Sequence, residues 1–240
     1  MKSSEYALGV RQGWPVGLGY FSVSFGFGAM AAAQGIRALD AALISVTNVT
    51  SAGQFAGLTL MVASAGLWEL ILTMLVINSR YALMSLALSQ RMGQRIGFLP
   101  RLLIAFTNTD EIFALAMARR EPLTVPFLLG LGLLPVIGWT GGTLMGALAG
   151  SVLPVGIRAA LGVMLYGMFI AIVVPPARKE REILVAVVLA LVFSSMFTWL
   201  PVLKEISAGL SIVICTVAAA ALCAVLFPIR EEEQEEEAAG

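Results

Sequence analysis

Arg101-Leu-Leu-Ile-Ala-Phe-Thr-Asn-Thr-Asp-Glu-Ile-Phe-Ala-Leu-Ala-Met-Ala118 is apolar enough to enter a bilayer, yet it carries Asp110 and Glu111 side by side near its centre. A charged side chain at the bilayer centre costs about 2.5 to 3.5 kcal/mol on insertion scales, so such residues usually face a water-filled path or a partner. The stretch is also the shortest apolar run of the chain. It is therefore read as a broken or re-entrant segment and as a candidate ion or proton site.

The rest of the chain fits a bilayer. Of its 240 residues, 59% are hydrophobic and only 12% charged, and mean hydropathy is +0.91; in soluble domains about a quarter of the residues are charged. Apolar runs lie at 12–34, 41–65, 67–89, 101–118, 123–149, 152–175, 182–200 and 206–228. A spanning helix needs about 20 such residues. The pattern predicts an all-α polytopic membrane protein of about six full transmembrane helices plus two broken or re-entrant segments, 41–65 and 101–118. Residues 1–11 are expected as a cytoplasmic N-terminal segment, 12–228 as a single transmembrane domain and 229–240 as an acidic disordered tail. No removable signal peptide is read at the start.

Loop charges choose the two exceptional runs. Lys2 and Arg11, then Arg91, Arg95 and Arg101, then Arg119 and Arg120, then Arg178, Lys179 and Arg181 form the basic clusters, and such clusters collect on the cytoplasmic side. If every run crossed, the clusters around 91–101 and 119–120 would face opposite sides. A fourth run that enters and returns puts both inside. The same count requires one earlier exception, for which the run broken by Thr-Asn-Val-Thr-Ser-Ala-Gly-Gln at 47–54 is the natural choice. Both termini are then cytoplasmic, and two interrupted segments dip toward the midplane from opposite faces, as in secondary transporters.

Histidine is absent, which removes the usual neutral-pH proton shuttle and the usual metal ligand. No cofactor, metal or nucleic acid is expected, and no enzyme, since the only cysteines, Cys215 and Cys223, sit in a plain apolar run and read as packing residues. Proton work falls to Asp110 and Glu111, with Asp110 as a helix N-cap as the structural alternative. Thr47, Thr50, Ser51 and Gln54 fall at i, i+3, i+4 and i+7, one face of a helix, and in the fourth run Asn108 and Glu111 share a face, as do Thr107, Asp110 and Ala114. Asn48 and Gly53 permit unwinding beside that polar face; interhelical hydrogen bonding is the bland reading. Arg80, in Asn78-Ser-Arg-Tyr81, either snorkels to the interface, pairs with Asp110 or Glu111, or takes a substrate carboxylate in two parallel hydrogen bonds. Glu69 and Glu205 read as water-facing helix ends, and the tryptophans as interface residues, with Trp139 packed between helices.

Pro15-Val-Gly-Leu-Gly-Tyr, Phe25-Gly-Phe-Gly28, Gln34-Gly35, Ser51-Ala-Gly-Gln-Phe55, Asn78-Ser-Arg-Tyr81 and Thr109-Asp-Glu-Ile-Phe113 resemble, in order and approximate spacing, the AzlC family of branched-chain amino acid permeases. The similarity spans roughly residues 9–175. It departs from the family at Tyr81, where a histidine is common, and at Thr47 to Thr50, where aromatic and small residues are usual. The resemblance implies an inner-membrane exporter subunit working with a small AzlD-like membrane protein, in the lipid bilayer, on an amino-acid substrate. With it, Asn48, Thr50, Ser51, Gly53, Gln54, Asn78 and Arg80 are the expected substrate-binding residues, and Asp110 and Glu111 the expected proton carriers. A structural or assembly subunit is the alternative.

Overall fold

The structure, a computed structural model, describes residues 2–92, 96–150, 156, 170 and 173–228. In chain order the helices are α1 (Lys2–Ala33), α2 (Ala38–Thr47), α3 (Ser51–Val62), α4 (Leu67–Arg91), α5 (Phe98–Thr107), α6 (Asp110–Ala118), α7 (Val125–Gly150), α8 (Arg181–Trp199) and α9 (Ala208–Leu226). Helices α1, α4, α7, α8 and α9 are long and apolar enough to cross a membrane. The chain is an all-α polytopic membrane protein. The full span expected over 152–175 falls almost wholly outside the described residues, and the acidic tail over 229–240 lies outside them.

Helix α1 runs without a break from Lys2, so residues 2–11 are continuous with the first span. Its end is a Schellman motif: Ile36 N–H returns to the Ala31 carbonyl and Gly35 N–H to that of Ala32, both at 3.0 Å, with Gly35 at φ +82°. Only glycine enters that left-handed conformation freely, which explains Gln34-Gly35.

Helices α1 and α7 form the spine of the unit made by Met1–Ala63 and Ile77–Met168. A Cβ on Gly9 would meet the Phe127 carbonyl, on Gly13 that of Leu131, on Gly17 that of Leu134 and on Gly28 that of Thr143. From the other side Gly138 lies on Gly17, Gly142 on Phe21 and Gly146 on Phe25. The numbers rise together, so the two helices run parallel. The glycines of the first and fifth apolar runs let the backbones touch, as small residues do in membranes. Gly19 and Gly141 are outside this seam, with nothing within 4 Å of the point a Cβ would occupy.

Both interrupted runs are visible. The fourth is cut at Asn108 and Thr109 into α5 and α6. Arg91, the last residue of α4, donates to the carbonyls of Met117 and Arg119 at the end of α6. The chain between them therefore leaves that end of the unit and comes back to it. Arg119 also donates to Glu5 Oε1 at 3.1 Å in the first turns of α1, and its guanidinium lies 4.1 Å from the Phe127 ring centre. Arg91 and Arg119 thus share one end, in keeping with the loop-charge reasoning.

The second run is cut at Asn48–Thr50 into α2 and α3. Ala41 before the cut and Phe55 and Leu58 after it join one buried cluster with Phe27, Ala31 and Ala147, at the opposite end of the spine. Phe27 and Phe55 meet edge to face at 5.1 Å. The two interrupted segments therefore enter from opposite ends.

The second unit holds Ser64–Val76 with the chain from Phe169. Here Glu69 has a partner the sequence did not reveal. It stands in the first turn of α4 and is partly exposed, as expected, and in addition its Oε1 accepts the Gly209 N–H at 2.8 Å in the first turn of α9, where free N–H groups favour a carboxylate. Cys215 is buried and both cysteines are free.

Candidate functional site

The middle of α4 links the two breaks. Thr50 caps α3 by accepting the Gly53 N–H at 3.1 Å, and its hydroxyl donates to Asn78 Oδ1 at 2.9 Å. Gly53 leaves room for this corner: a Cβ there would stand 2.6 Å from the Thr50 hydroxyl and 3.2 Å from both Asn78 Oδ1 and Nδ2. Two residues on, Arg80 pairs with Asp110 at 2.8 Å and donates to the Tyr81 hydroxyl at 3.1 Å. One turn further, Ser85 accepts from Asn108 Nδ2 at 3.2 Å. One short piece of helix therefore touches the start of α3 and the α5–α6 break.

The depth of this region follows from α4 itself. Arg80 is about 17 to 20 Å from either end of the 25-residue helix. The ion pair therefore stands near the middle of α4. The Arg80 and Asp110 side chains are nevertheless 45% and 44% exposed, so the pair borders open space rather than being packed shut.

The local sequence explains the breaks. At Asn48–Val49–Thr50 a residue type that competes with the helix for backbone hydrogen bonds is followed by two β-branched ones, a poor helical sequence. At Asn108–Thr109 the Thr109 hydroxyl makes no cap bond to α6; it lies 2.7 Å from the Tyr20 hydroxyl, which also reaches Glu111 Oε2. A phenol has one proton and an ionised carboxylate only accepts, so Tyr20 donates to Glu111 and takes its second bond from Thr109.

Two face assignments are corrected by these breaks. Thr47 lies on α2, bonded back to the Leu43 carbonyl at 2.7 Å, while Ser51 and Gln54 lie on α3. Thr107 and Asn108 likewise precede the break that Asp110 and Glu111 follow. Nor is Asp110 the N-cap of α6; Thr109 holds that position. Asp110 and Glu111 diverge, one to Arg80 and the other to Tyr20.

Gln54 is 1% exposed and spends its amide inside the protein. Its Oε1 accepts Trp139 Nε1–H at 2.8 Å, and its Nε2 donates to Ser45, whose hydroxyl is 2.6 Å from that of Thr143. Tyr20 meets the Trp139 ring edge to face at 5.3 Å, completing a chain of contacts from Glu111 to Gln54. Gln54→Leu keeps the volume but strands the indole N–H and takes one of the two bonds of Ser45, which keeps Thr143. It should cost about 1 to 3 kcal/mol, read as a lower melting temperature of the detergent-solubilised protein. A residue that met substrate would instead lose affinity with stability unchanged.

Of the remaining expected residues, Asn48 caps the end of α2 and is half-buried, as is Ser51. Tyr20, Trp139, Ser85 and Asn108 enter the site without having been among the expected binding residues. Tyr20 and Trp139 come from the glycine-lined spine, where the sequence carries no polar pattern to mark them.

Beside Ser85 and Asn108 is a cavity of about 330 Å³ between α4 and α5, walled by Leu88, Met92, Ile104 and Ala105.

These features define a polytopic helical membrane protein whose two interrupted runs both reach the middle of α4, where it carries a charged pair. The chain belongs to the AzlC family: the family model described as AzlC protein matches residues 15–153. It is 29% identical to the inner membrane protein YgaZ of Escherichia coli (strain K12), over 78% of this chain and 79% of that protein. It is 32% identical to an uncharacterized membrane protein of Archaeoglobus fulgidus, over 78% and 82% respectively. An uncharacterized membrane protein of Helicobacter pylori (strain J99) is 31% identical over 56% of this chain and 59% of its own. No solved structure matches it.

Proposed function

We propose that this chain is the large subunit of a secondary transporter that exports branched-chain or other small apolar amino acids across the bacterial inner membrane, coupled to protons and working with a small AzlD-like membrane partner. The observation that carries the reading is the Arg80–Asp110 pair, which joins the middle of α4 to the start of the half-helix α6 with both side chains nearly half exposed. Transporters place their sites where discontinuous helices meet, because free backbone ends and charges there can exchange partners during the cycle. Family membership supports the amino-acid class.

In this reading a proton arriving on Asp110 breaks the pair and frees Arg80, and departure of the proton restores it. Glu111, bonded to Tyr20, is the second carboxylate of the relay. The Thr50–Asn78 bond ties α3 to the same stretch of α4, so movement of the half-helix is felt at Arg80. Cells producing the chain with its partner are expected to hold less intracellular valine and isoleucine than cells without it. Asp110→Asn combined with Glu111→Gln should abolish the difference. Full export by the double variant would remove the proton role.

A further inference from the structure

The cavity between α4 and α5 is a groove with one charged end. On α4 it runs from Ala82, near the middle of the helix, to Met92 just past its end, about 15 Å, which is the depth of hydrocarbon in one leaflet. Most of its wall is carbon, from Leu86, Leu88, Met92, Ile104 and Ala105. The groove is also open: Leu86 is 57% exposed, and Ala105 on the facing helix is exposed too. An apolar crevice that no side chain fills forfeits dispersion contacts along its whole lining. In a bilayer the material at hand to restore them is an acyl chain.

The polar members of the wall are sorted along it. Ser85 and Asn108 bond to each other at the deep end. Ser89 and Arg101 lie nearer the end where Arg91 meets Arg119, Arg101 about 10 Å along α5 from Asn108. The arginines at that end differ in what they hold. Arg91 donates to two carbonyls, and Arg119 pairs with Glu5 and Glu121. Arg101 is exposed and, among the described residues, has no hydrogen-bond or ion-pair partner. A guanidinium takes a phosphate in two parallel hydrogen bonds while its stem lies along apolar surface, and basic pockets between membrane helices hold anionic head groups.

We propose that this groove holds one anionic phospholipid, with its phosphate on Arg101, the Ser89 hydroxyl beside the head group, and an acyl chain lying along Leu86, Leu88, Ile104 and Ala105 toward the break of the fourth run. Charge at one end and carbon over the length of a leaflet fit such a molecule at both of its parts. The lipid braces α5, the half-helix that leads to Asn108 and Asp110. The proposal goes beyond the transport reading and does not depend on it.

The test is native mass spectrometry of the full-length protein in detergent, titrated with dioleoyl phosphatidylglycerol or dioleoyl phosphatidylcholine. Wild-type protein should retain one phosphatidylglycerol about tenfold more tightly than phosphatidylcholine, the worth of one charge-assisted hydrogen bond. Arg101→Gln should bring the two lipids level. Arg120→Gln removes an exposed arginine that does not line the cavity, and should keep the preference. Ala105→Phe fills the groove with Arg101 still in place, and should weaken phosphatidylglycerol about tenfold. Glycerol 3-phosphate, a head group without chains, should not displace the lipid. No preference in the wild type, or one that survives Arg101→Gln or falls equally in Arg120→Gln, overturns the proposal. Binding that Ala105→Phe leaves unchanged, or that glycerol 3-phosphate displaces, overturns it by placing the lipid on surface charge alone. Displacement by L-leucine overturns it by giving the groove to a solute. None of these outcomes removes the transport reading.

Discussion

Arg80→Gln should abolish transport, and so should Asp110→Asn, but the two single variants should differ from the double one in stability. In the native protein each charge answers the other at 2.8 Å, about halfway along α4. Removing the guanidinium leaves a carboxylate at a depth where hydration is scarce, and removing the carboxylate leaves a guanidinium there. Breaking a fully buried pair costs about 3 to 5 kcal/mol, and exposed pairs are worth well under 1; with both side chains nearly half open, about 1 to 3 kcal/mol is expected here. The double variant has no stranded charge, so its melting temperature in detergent should return toward that of the wild type. Its transport should not, because the alternation of paired and protonated states has gone. A loss of at least tenfold in efflux is expected, the equivalent of about 1.4 kcal/mol on the limiting step. Wild-type efflux by Arg80→Gln would show that the pair only braces the fold.

A charge swap sharpens the same point. Asp110 is the first residue of α6, where the helix dipole favours an anion. Arg80→Asp with Asp110→Arg would keep the attraction but put a cation on the positive end of that helix. The order of the two charges is thus set by the break. It explains why Asp-Glu follows Asn-Thr in a run that is otherwise apolar. The acids fill the first turn of a helix that begins inside the membrane, and one of them reaches across to α4.

This much was legible in the sequence, since two adjacent acids in an 18-residue apolar run require a break or a partner and the arginines on either side of it have to share a face. Arg91 and Arg119 do meet at one end of the unit. The face assignments failed for a physical reason: they assumed helix periodicity through the very residues where the helix stops. Other parts had no local signal. Glu111 is answered by Tyr20, 91 residues earlier, and Gln54 by Trp139, 85 residues later. Such pairings depend on which side of a glycine seam each aromatic falls, and that is decided by α1 and α7 together. Asn108 was visible only as a neighbour of the acids. Its Oδ1 is buried without a hydrogen-bond partner, which no spacing rule reveals.

Gly142→Leu should prevent the protein from accumulating as a folded species, while Gly141→Leu, one residue away, should be tolerated. Gly142 lies directly on the Phe21 carbonyl and the Ser24 hydroxyl, whereas nothing stands within 4 Å of the corresponding point at Gly141. Overpacking a core usually costs about 1 to 3 kcal/mol because neighbouring side chains shift. Here the obstruction is backbone of α1, so the helices themselves must part. In a bilayer lipid tails replace lost apolar contacts without hydrophobic penalty, and helix association rests on close van der Waals packing along such small-residue seams. A local separation at Gly142 therefore loosens the contacts at Gly138 and Gly146 as well, and a loss above about 3 kcal/mol is expected. The seam also sets the spacing of Tyr20 on α1 and Trp139 on α7, whose ring contact joins the two breaks. Any Gly142→Leu protein that does fold should show altered indole fluorescence and impaired efflux together. Fluorescence-detected size exclusion of the two leucine variants makes the comparison, and equal, monodisperse peaks for both would mean that the parallel α1–α7 spine is not what holds the breaks in place.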